Sequence, residues 1–226
     1  MARQVVLLSG GLDSAVLLAA RRQASTTPSD TLAFAVDYGQ RHHAELISAA
    51  AIAEYYNIEL TTLHLSQVLR PVFAESSSSQ VGLSIPVPDG HYTSEQMKDT
   101  IVPNRNMLLI ALAGAFADST GCSSVAYAAH SGDHAIYPDC RPAFAESCAT
   151  TLELATGVKL IRPFIDKTKA DIVALGASLK VPFHLTYSCY KGRYHTHCGT
   201  CGTCYERREA FTLANVPDPT RYEDGA

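Results

Sequence analysis

The chain has 226 residues, of which 46% are hydrophobic and 18% charged, with a formal net charge of −4 at pH 7. This composition fits a soluble protein with a sizeable core. The acidic balance disfavours nucleic acid as a partner, because binding to a phosphate backbone needs a basic field. No run of about 18 uninterrupted apolar residues occurs, and Asp13 interrupts the apolar start, so we expect neither a membrane span nor a secretory signal.

The first third of the chain alternates short β-rich runs with amphipathic segments. We predict strands near residues 4–8, 31–37 and 59–63, and helices from Ser14 and over 41–56. Residues 66–103 are rich in serine, proline and glycine, which favours a loop. This loop is either a lid over a site or a plain surface excursion.

Regular patterns return after residue 103. They predict helices over 104–119, 141–156 and 169–179, and strands near 123–128 and 159–163. An irregular, cysteine-bearing stretch follows and ends in a short helix over 205–214. The order of elements predicts a doubly wound α/β fold with a mostly parallel five-stranded sheet. We expect a nucleotide-binding domain over 1–180 and a zinc-binding region over 181–226 packed on it.

The turn after the first strand reads Ser-Gly-Gly-Leu-Asp-Ser, residues 9–14. Glycines there let the backbone approach an anion, hydroxyls add donors, and the helix start is positive. Asp13 fits beside phosphates if it helps to hold Mg²⁺. The alternative is a tight turn with Asp13 or Ser14 as N-cap. The motif resembles the phosphate loop of the ATP pyrophosphatase superfamily, whose fold is the adenine nucleotide alpha hydrolase type. The predicted ATP-binding residues are Leu8, Ser9, Gly10, Gly11, Leu12, Asp13, Ser14 and, at the end of the second strand, Asp37.

Four of the seven cysteines crowd near the end of the chain, spaced C-x8-C-x2-C-x2-C. They are Cys189, Cys198, Cys201 and Cys204. Four thiolates complete a closed, structural zinc shell, with an iron–sulfur cluster as the alternative. His195 and His197 are interpreted as neighbours rather than ligands. This cysteine usage favours a reducing cytoplasm over a disulfide framework.

Several charged residues stand where a helix or strand ends. Arg105 and Lys169 lie in first helical turns, where a cation opposes the helix dipole unless an anion is near. The loop over 128–144 is dense in polar groups suited to a planar heterocycle that carries an acid. Its candidate residues are Asp133, Tyr137, Asp139 and Arg141.

Long motifs in the same order resemble the 7-cyano-7-deazaguanine synthase family. They are SGGLDS (9–14), DYGQRH (37–42), VPNRN (102–106), GDHAIYPDCRP (132–142), SCYKG with CGTCGTC (188–204) and DPTRY (218–222). The resemblance implies a homodimeric enzyme that uses ATP and ammonia to convert 7-carboxy-7-deazaguanine into the nitrile.

The resemblance also implies roles for individual residues. The residues expected to act in catalysis are Asp13, Ser14, Lys169 and Arg105. The residues expected to hold the substrate are Arg105, Asp133, Tyr137, Asp139 and Arg141. Two other functions stay open from the residues alone. One is another ATP pyrophosphatase, such as a tRNA thiolase or an amide-forming ligase, and the other is a non-catalytic zinc-ribbon interaction module.

Overall fold

Five apolar runs form one fully parallel sheet in the computed structural model, which describes residues 3–82, 84–92, 95–191 and 196–223. The strands are β1 Gln4–Leu7, β2 Thr31–Asp37, β3 Leu60–His64, β4 Ser124–Ala126 and β5 Lys159–Ile161. Their order is β3-β2-β1-β4-β5. Val5 of β1 pairs with Leu32 on one side and with Val125 on the other. The predicted five-stranded parallel sheet is confirmed.

Helices connect the strands along the chain. They are α1 Leu12–Gln23, α2 Ala44–Tyr55, α3 Ser66–Phe73, α4 Arg105–Ser119, α5 Pro142–Thr156, α6 Lys169–Ser178 and α7 Gly202–Leu213. The prediction of a loop throughout 66–103 is wrong at its start, because α3 occupies Ser66–Phe73. Pro71 lies inside this helix, and the serine-rich stretch that follows it masked the short apolar pattern.

The core lies on both faces of the sheet because adjacent strand residues point to opposite sides. Val6 packs in a cluster with side chains of α1, α2, α6 and α7. Val5, its neighbour, packs in a second cluster with side chains of α4 and α5. Since Phe211 of α7 lies in the first cluster, the cysteine-bearing end of the chain shares the core of the sheet rather than standing apart.

One segment of the described ranges, Glu95–Ser119, could cross a membrane by length and composition alone. A short 3₁₀ helix, Glu95–Thr100, and α4 make up most of it. Asn104 separates the two with a left-handed φ of 55°. Ile110 and Ala113 of α4 are buried in the core beneath the sheet, and core helices pass the same composition test. We therefore describe α4 as a core helix.

The strand order fixes where a ligand can enter. The chain leaves β1 toward β2 on one side, and β4 lies on the other side of β1. The connections thus diverge at the carboxyl ends of β1 and β4, which opens a crevice there. Residues 9–14 follow β1 and the polar loop after residue 127 follows β4, so both predicted loops border this crevice.

Candidate active site

In the turn after β1, local hydrogen bonds hold the hydroxyls of Ser9 and Ser14, and no side chain caps helix α1. Gly11 is the N-cap of α1, with an extended backbone and no side-chain cap, so the alternative with Asp13 or Ser14 as N-cap is wrong. Ser14 Oγ donates to the Gly11 carbonyl at 3.0 Å and lies 3.1 Å from Ser9 Oγ. The first amide groups of α1 are therefore left for an anion from outside.

The two glycines of this turn have different surroundings. Gly10 has a φ of +91°, and a Cβ there would lie 2.0 Å from the backbone oxygen of Glu45 and 2.8 Å from the backbone nitrogen of Ala49. Gly10 is thus required for α2 to pack against the turn. A Cβ on Gly11 would meet only Ser9 Oγ at 3.4 Å and the Tyr187 carbonyl at 3.8 Å. Gly11 alone of the two lines the cavity.

A buried group of charges lies beside the turn. Lys169 Nζ lies 3.0 Å from Asp13 Oδ2 and donates to Glu206 Oε2 at 2.8 Å. His130 Nε2 lies 3.4 Å from Asp133 Oδ2 and 3.7 Å from Asp13 Oδ2. These five residues come from α1, α6, α7 and the loop after β4, so only the folded chain brings them together.

Burial and pairing set the ionisation of this group. Burial alone would raise the pKa of Asp13, but the Lys169 ammonium holds that pKa below its ordinary value. Burial would lower the pKa of Lys169, yet Asp13 and Glu206 raise it above the ordinary value, so the ammonium stays charged. Burial raises the pKa of Glu206 despite Lys169. Asp13 Oδ1 is buried and has no hydrogen-bond partner in the described part of the chain.

The His130 ring has a defined proton position. The Gly132 N–H donates to His130 Nδ1 at 3.2 Å, so the proton of the neutral ring is on Nε2. His130 forms one potential metal-binding group with Asp133 and Glu206. His130 Nε2 lies near the carboxylates of Asp133 and Asp13 but has no hydrogen-bond partner among the described residues. Carboxylate oxygens are the preferred ligands of a hard cation such as Mg²⁺.

The charged group opens into a cavity of about 240 Å³. Tyr38, Tyr137 and Tyr190 supply aromatic walls, and Arg105 and Glu45 supply one charge of each sign. His42 stacks on Tyr190 with ring centroids 5.0 Å apart. Tyr137 is held by Thr100, whose hydroxyl lies 2.7 Å from its own. A planar polar ring could lie between such walls.

The structure brings most of the sequence-predicted site residues to this cavity. They are Leu8, Ser9, Gly11, Asp13, Ser14, Arg105, Asp133, Tyr137 and Lys169. Leu12 instead belongs to the core, and Asp37 Oδ1 accepts from the Gly39 N–H at 3.1 Å, away from the lining.

Two predicted substrate residues also lie off the cavity wall. Asp139 Oδ2 accepts from the Asn106 N–H at 2.9 Å, which satisfies a free donor at the start of α4. Arg141 is exposed, and its Nε donates to the His134 carbonyl at 3.0 Å. Substrate binding by this pair stays a prediction, with no cavity contact in its favour.

The four late cysteines converge at one point, where they can hold a metal ion. The Sγ atoms of Cys189 and Cys201 are 3.9 Å apart, those of Cys198 and Cys204 are 3.9 Å apart, and those of Cys201 and Cys204 are 3.5 Å apart. A tetrahedral ZnS₄ site needs about 3.8 Å between sulfurs. All four are buried and none forms a disulfide within the described residues, and the Cys198 N–H donates to Cys189 Sγ at 3.2 Å. This geometry suits thiolates around one ion rather than disulfides.

Two histidines lie near these four cysteines in sequence, and three further cysteines lie elsewhere in the chain. His197 Nε2 accepts from the Ser188 N–H at 3.2 Å and is outside the cluster. His195 lies outside the described residues. Cys122, Cys140 and Cys148 are free and buried in the second core cluster, as small apolar side chains are.

The cysteine cluster and the cavity share a frame. Tyr190 follows Cys189 directly, and Cys201 is the N-cap of α7, which carries Glu206. The Tyr187 N–H donates to the Gly10 carbonyl at 2.9 Å. Arg207, fully buried, donates to Thr186 Oγ1 at 2.9 Å. Order at the cysteines therefore fixes the positions of two cavity side chains and of the turn after β1.

A comparison with protein families decides the relationship of the chain. The model of the family described as "Queuosine biosynthesis protein QueC" matches residues 3–215. The chain belongs to the QueC family. Curated 7-cyano-7-deazaguanine synthases of Brucella ovis and Brucella abortus are each 47% identical to it over 226 residues, which cover 98% of this chain and 94% of the relative. The resemblance given by the long motifs is confirmed, and the chain is an enzyme of this family.

Solved structures share the QueC fold at low identity. An NMN synthetase from Francisella tularensis has a TM-score of 0.50 and 22% identity, covering 83% of this chain and 66% of that structure. A U34-tRNA thiolase from Methanococcus maripaludis has a TM-score of 0.52 and 14% identity, covering 95% of this chain and 65% of that structure. The chain thus spans about two thirds of the length of these structures. They support the predicted fold class alone.

Sequence reasoning missed several residues at the cavity of this QueC chain, among them the acids Glu45 and Glu206, the neighbouring His130, and the aromatic residues Tyr38 and Tyr190. Glu206 had a weak signal, since it follows the last cysteine by two positions on a predicted helix. His130 follows strand β4 by four residues, and Glu45 follows the DYGQRH motif by three. None of Glu45, His130 and Glu206 has a spacing that marks it from sequence alone.

Proposed function

We propose that this chain converts 7-carboxy-7-deazaguanine, ammonia and ATP into 7-cyano-7-deazaguanine. One observation carries the proposal: the turn over 9–14, the Asp13–Lys169–Glu206 group and the tyrosine-lined pocket with Arg105 all face one cavity. A nucleotide site and an aromatic site for a charged heterocycle are thereby adjacent. Family membership and the names of the curated relatives support the same reaction.

The turn and its charges fit ATP with Mg²⁺. Asp13, Asp133 and Glu206 are three carboxylates against the single ammonium of Lys169, which leaves a formal charge of −2 when all are ionised. Asp13 Oδ1 also has no hydrogen-bond partner among the residues that the structure describes. We propose these carboxylates as the residues that would hold the ion. When bound, Mg²⁺ would neutralise phosphate charge there.

The cysteine cluster fits a structural Zn²⁺. Four sulfurs leave no open coordination position, so the site would support folding rather than chemistry. Its position supports that role, because it fixes the segment carrying Tyr190 and the start of α7, which carries Glu206.

The reaction needs two activations of oxygen by ATP. A carboxylate is a poor electrophile, so one of its oxygens attacks a phosphorus of ATP and displaces pyrophosphate or ADP, according to which phosphorus is attacked. Ammonia then attacks the carboxyl carbon, and the phosphorylated oxygen departs to give the amide. The amide oxygen attacks a second ATP, and loss of that oxygen with two N–H protons leaves the C≡N bond.

The chain's residues act mainly by position and charge. Lys169 stays protonated and lies where charge grows on the departing phosphate, which is electrostatic stabilisation of the transition state. Ser9, Gly11 and Ser14 would hold the phosphates, and Arg105 would hold the ring that carries the acid. This division needs no covalent nucleophile on the protein.

Assembly and location follow from the family resemblance as further parts of the proposal. We propose a homodimer in the cytoplasm, with small molecules as its substrates and with neither nucleic acid nor a membrane as partner. None of the seven cysteines forms a disulfide within the described residues, which supports a reducing compartment. Light scattering coupled to size-exclusion chromatography measures the assembly directly.

The test is a single incubation of the purified protein with ATP, Mg²⁺, ammonium and 7-carboxy-7-deazaguanine. Mass spectrometry is expected to show the nitrile, and chromatography of the nucleotides identifies the product of ATP. Recovery of unchanged acid with intact ATP would contradict the proposal. Accumulation of the amide alone would place the chain among amide-forming ligases, and a shift of tRNA in a gel would favour a thiolase.

A further inference from the structure

Glu45 is an acid on the cavity wall whose carboxylate forms no ion pair with any described residue. It lies in the first turn of α2, where its backbone packs on Gly10, and its side chain lines the cavity. Within the described ranges, its carboxylate makes neither a hydrogen bond nor an ion pair. A carboxylate held in a cavity without partners is costly, so it needs one that arrives with a ligand.

The groups around Glu45 show what such a ligand must offer. Arg105 reaches the cavity from α4, and Tyr38 and Tyr190 stand close enough to interact electrostatically with Glu45. Tyr187 is a further neighbour of this carboxylate. Burial raises the pKa of Glu45 to about 7, against the opposing effect of Arg105. The pocket therefore combines aromatic faces, one acceptor-only group and one donor-only group.

The proposed substrate has matching edges. A 7-deazaguanine ring presents two parallel donors, the N1–H and the exocyclic amino group, and a carboxylate can accept both at once. Its other side presents a carbonyl and the carboxylate, which suit the guanidinium of Arg105. The faces of the ring can stack on tyrosine.

We propose that Glu45 determines the specificity for a guanine-type ring by accepting hydrogen bonds from its N1–H and exocyclic amino group. This inference rests on the proposed function and adds the residue that reads the base. It also explains why Glu45 and Arg105 line the same cavity without forming an ion pair.

The test compares two ligands without ATP, by calorimetry at about pH 8, where Glu45 is ionised. The ligands are 7-carboxy-7-deazaguanine and its analogue without the exocyclic amino group. The proteins are wild type, Glu45→Gln and the control Glu54→Gln, an exposed acid on the same helix. A melting curve of each protein checks that it is folded.

Wild type and Glu54→Gln are expected to prefer the guanine-type ligand by about tenfold or more, since losing a hydrogen bond to a charged group costs about 1.5–3 kcal/mol. Glu45→Gln is expected to bind that ligand at least about tenfold more weakly and to lose most of the preference. Equal binding of both ligands by wild type would overturn the inference without any variant. An undiminished preference in folded Glu45→Gln would overturn it as well.

Failure of the proposed function gives a different result. In that case wild type neither binds the guanine-type acid nor turns it over with ATP and ammonium. If wild type makes the nitrile while Glu45→Gln retains wild-type affinity and preference, only the assignment of Glu45 fails.

Discussion

Replacing each of the two glycines in the turn after β1 should damage the protein in a different way. At Gly10, alanine must adopt a φ of +91°, and its Cβ overlaps the backbone oxygen of Glu45 at 2.0 Å and the backbone nitrogen of Ala49 at 2.8 Å. Neither backbone atom can move away by a rotamer change. Relief therefore requires α2 to shift away from the turn.

The cost at Gly10 can be summed from its two causes. A strained left-handed backbone costs about 1–3 kcal/mol. Overpacking against fixed atoms adds about 1–3 kcal/mol. Gly10→Ala should therefore lower the free energy of unfolding by about 2–6 kcal/mol, out of about 5–15 kcal/mol for a typical protein.

At Gly11 the same change should spare the fold. Its backbone is already extended, with φ −73° and ψ 165°, and the nearest contact of a new Cβ is 3.4 Å. The free energy of unfolding should change by less than about 1 kcal/mol. The methyl group would stand where phosphates approach, so affinity for ATP should fall by about tenfold or more.

Urea unfolding and calorimetric titration with ATP separate the two effects. Gly11→Ala serves as the matched control for Gly10→Ala, because it adds the same methyl group one residue away. The reasoning is refuted if the free energy of unfolding of Gly10→Ala lies within about 1 kcal/mol of the wild-type value. It is also refuted if Gly11→Ala binds ATP as wild type does.

Three further changes test the charges and the metal. Cys198→Ser should lose nearly all bound zinc in metal analysis and melt at a lower temperature, whereas Cys122→Ser, outside the cluster, should retain zinc. Asp13→Asn should lower turnover at least about a hundredfold while still melting cooperatively, since it removes charge from the reacting site. Glu45→Gln should gain about 2 kcal/mol of stability over wild type above pH 7 and nothing at pH 4, measured by urea unfolding.

The sign of the pH prediction follows from the raised pKa of Glu45. Folded wild type holds this proton up to about pH 7, whereas the unfolded chain releases it near the ordinary value of 4.5. Wild type therefore loses stability as pH rises between those values. The full shift corresponds to about 3 kcal/mol, which we reduce to about 2 kcal/mol because the cavity is open to solvent. Equal stability curves for wild type and Glu45→Gln would contradict the burial of Glu45. Zinc retained in full by Cys198→Ser would contradict the zinc assignment. Normal turnover by Asp13→Asn would contradict the role of Asp13.

The parallel sheet was predictable because hydrophobic pattern and turn residues agree along most of the chain. Strand β2 was predicted with its observed bounds, Thr31–Asp37, since every residue in it is buried and it ends at a polar turn. Helix α3 was missed because its apolar pattern is short, contains a proline and runs into a serine-rich stretch. Tertiary packing decides such segments.

The candidate site was predictable only where chemistry and spacing coincide. The cysteines and the glycine turn have spacings that imply a ligand, and both form compact groups in the structure. Glu206 could not be found this way, because its role depends on Lys169, which is distant in sequence. Glu45 could not be found either, because its place on the cavity wall is set by the fold. Asp139 shows the opposite case, since a polar residue in a dense motif is used to hold the start of α4.

The central claim is that ATP activates the carboxylate oxygens of the substrate, and isotope transfer tests it most directly. The substrate is prepared with ¹⁸O at both carboxylate oxygens and incubated with ATP, Mg²⁺ and ammonium. Mass spectrometry then follows the label. The account predicts a nitrile without oxygen from the label, with one ¹⁸O in the phosphate group of each of two nucleotide-derived products. A nitrile formed while all label appears in water would contradict it.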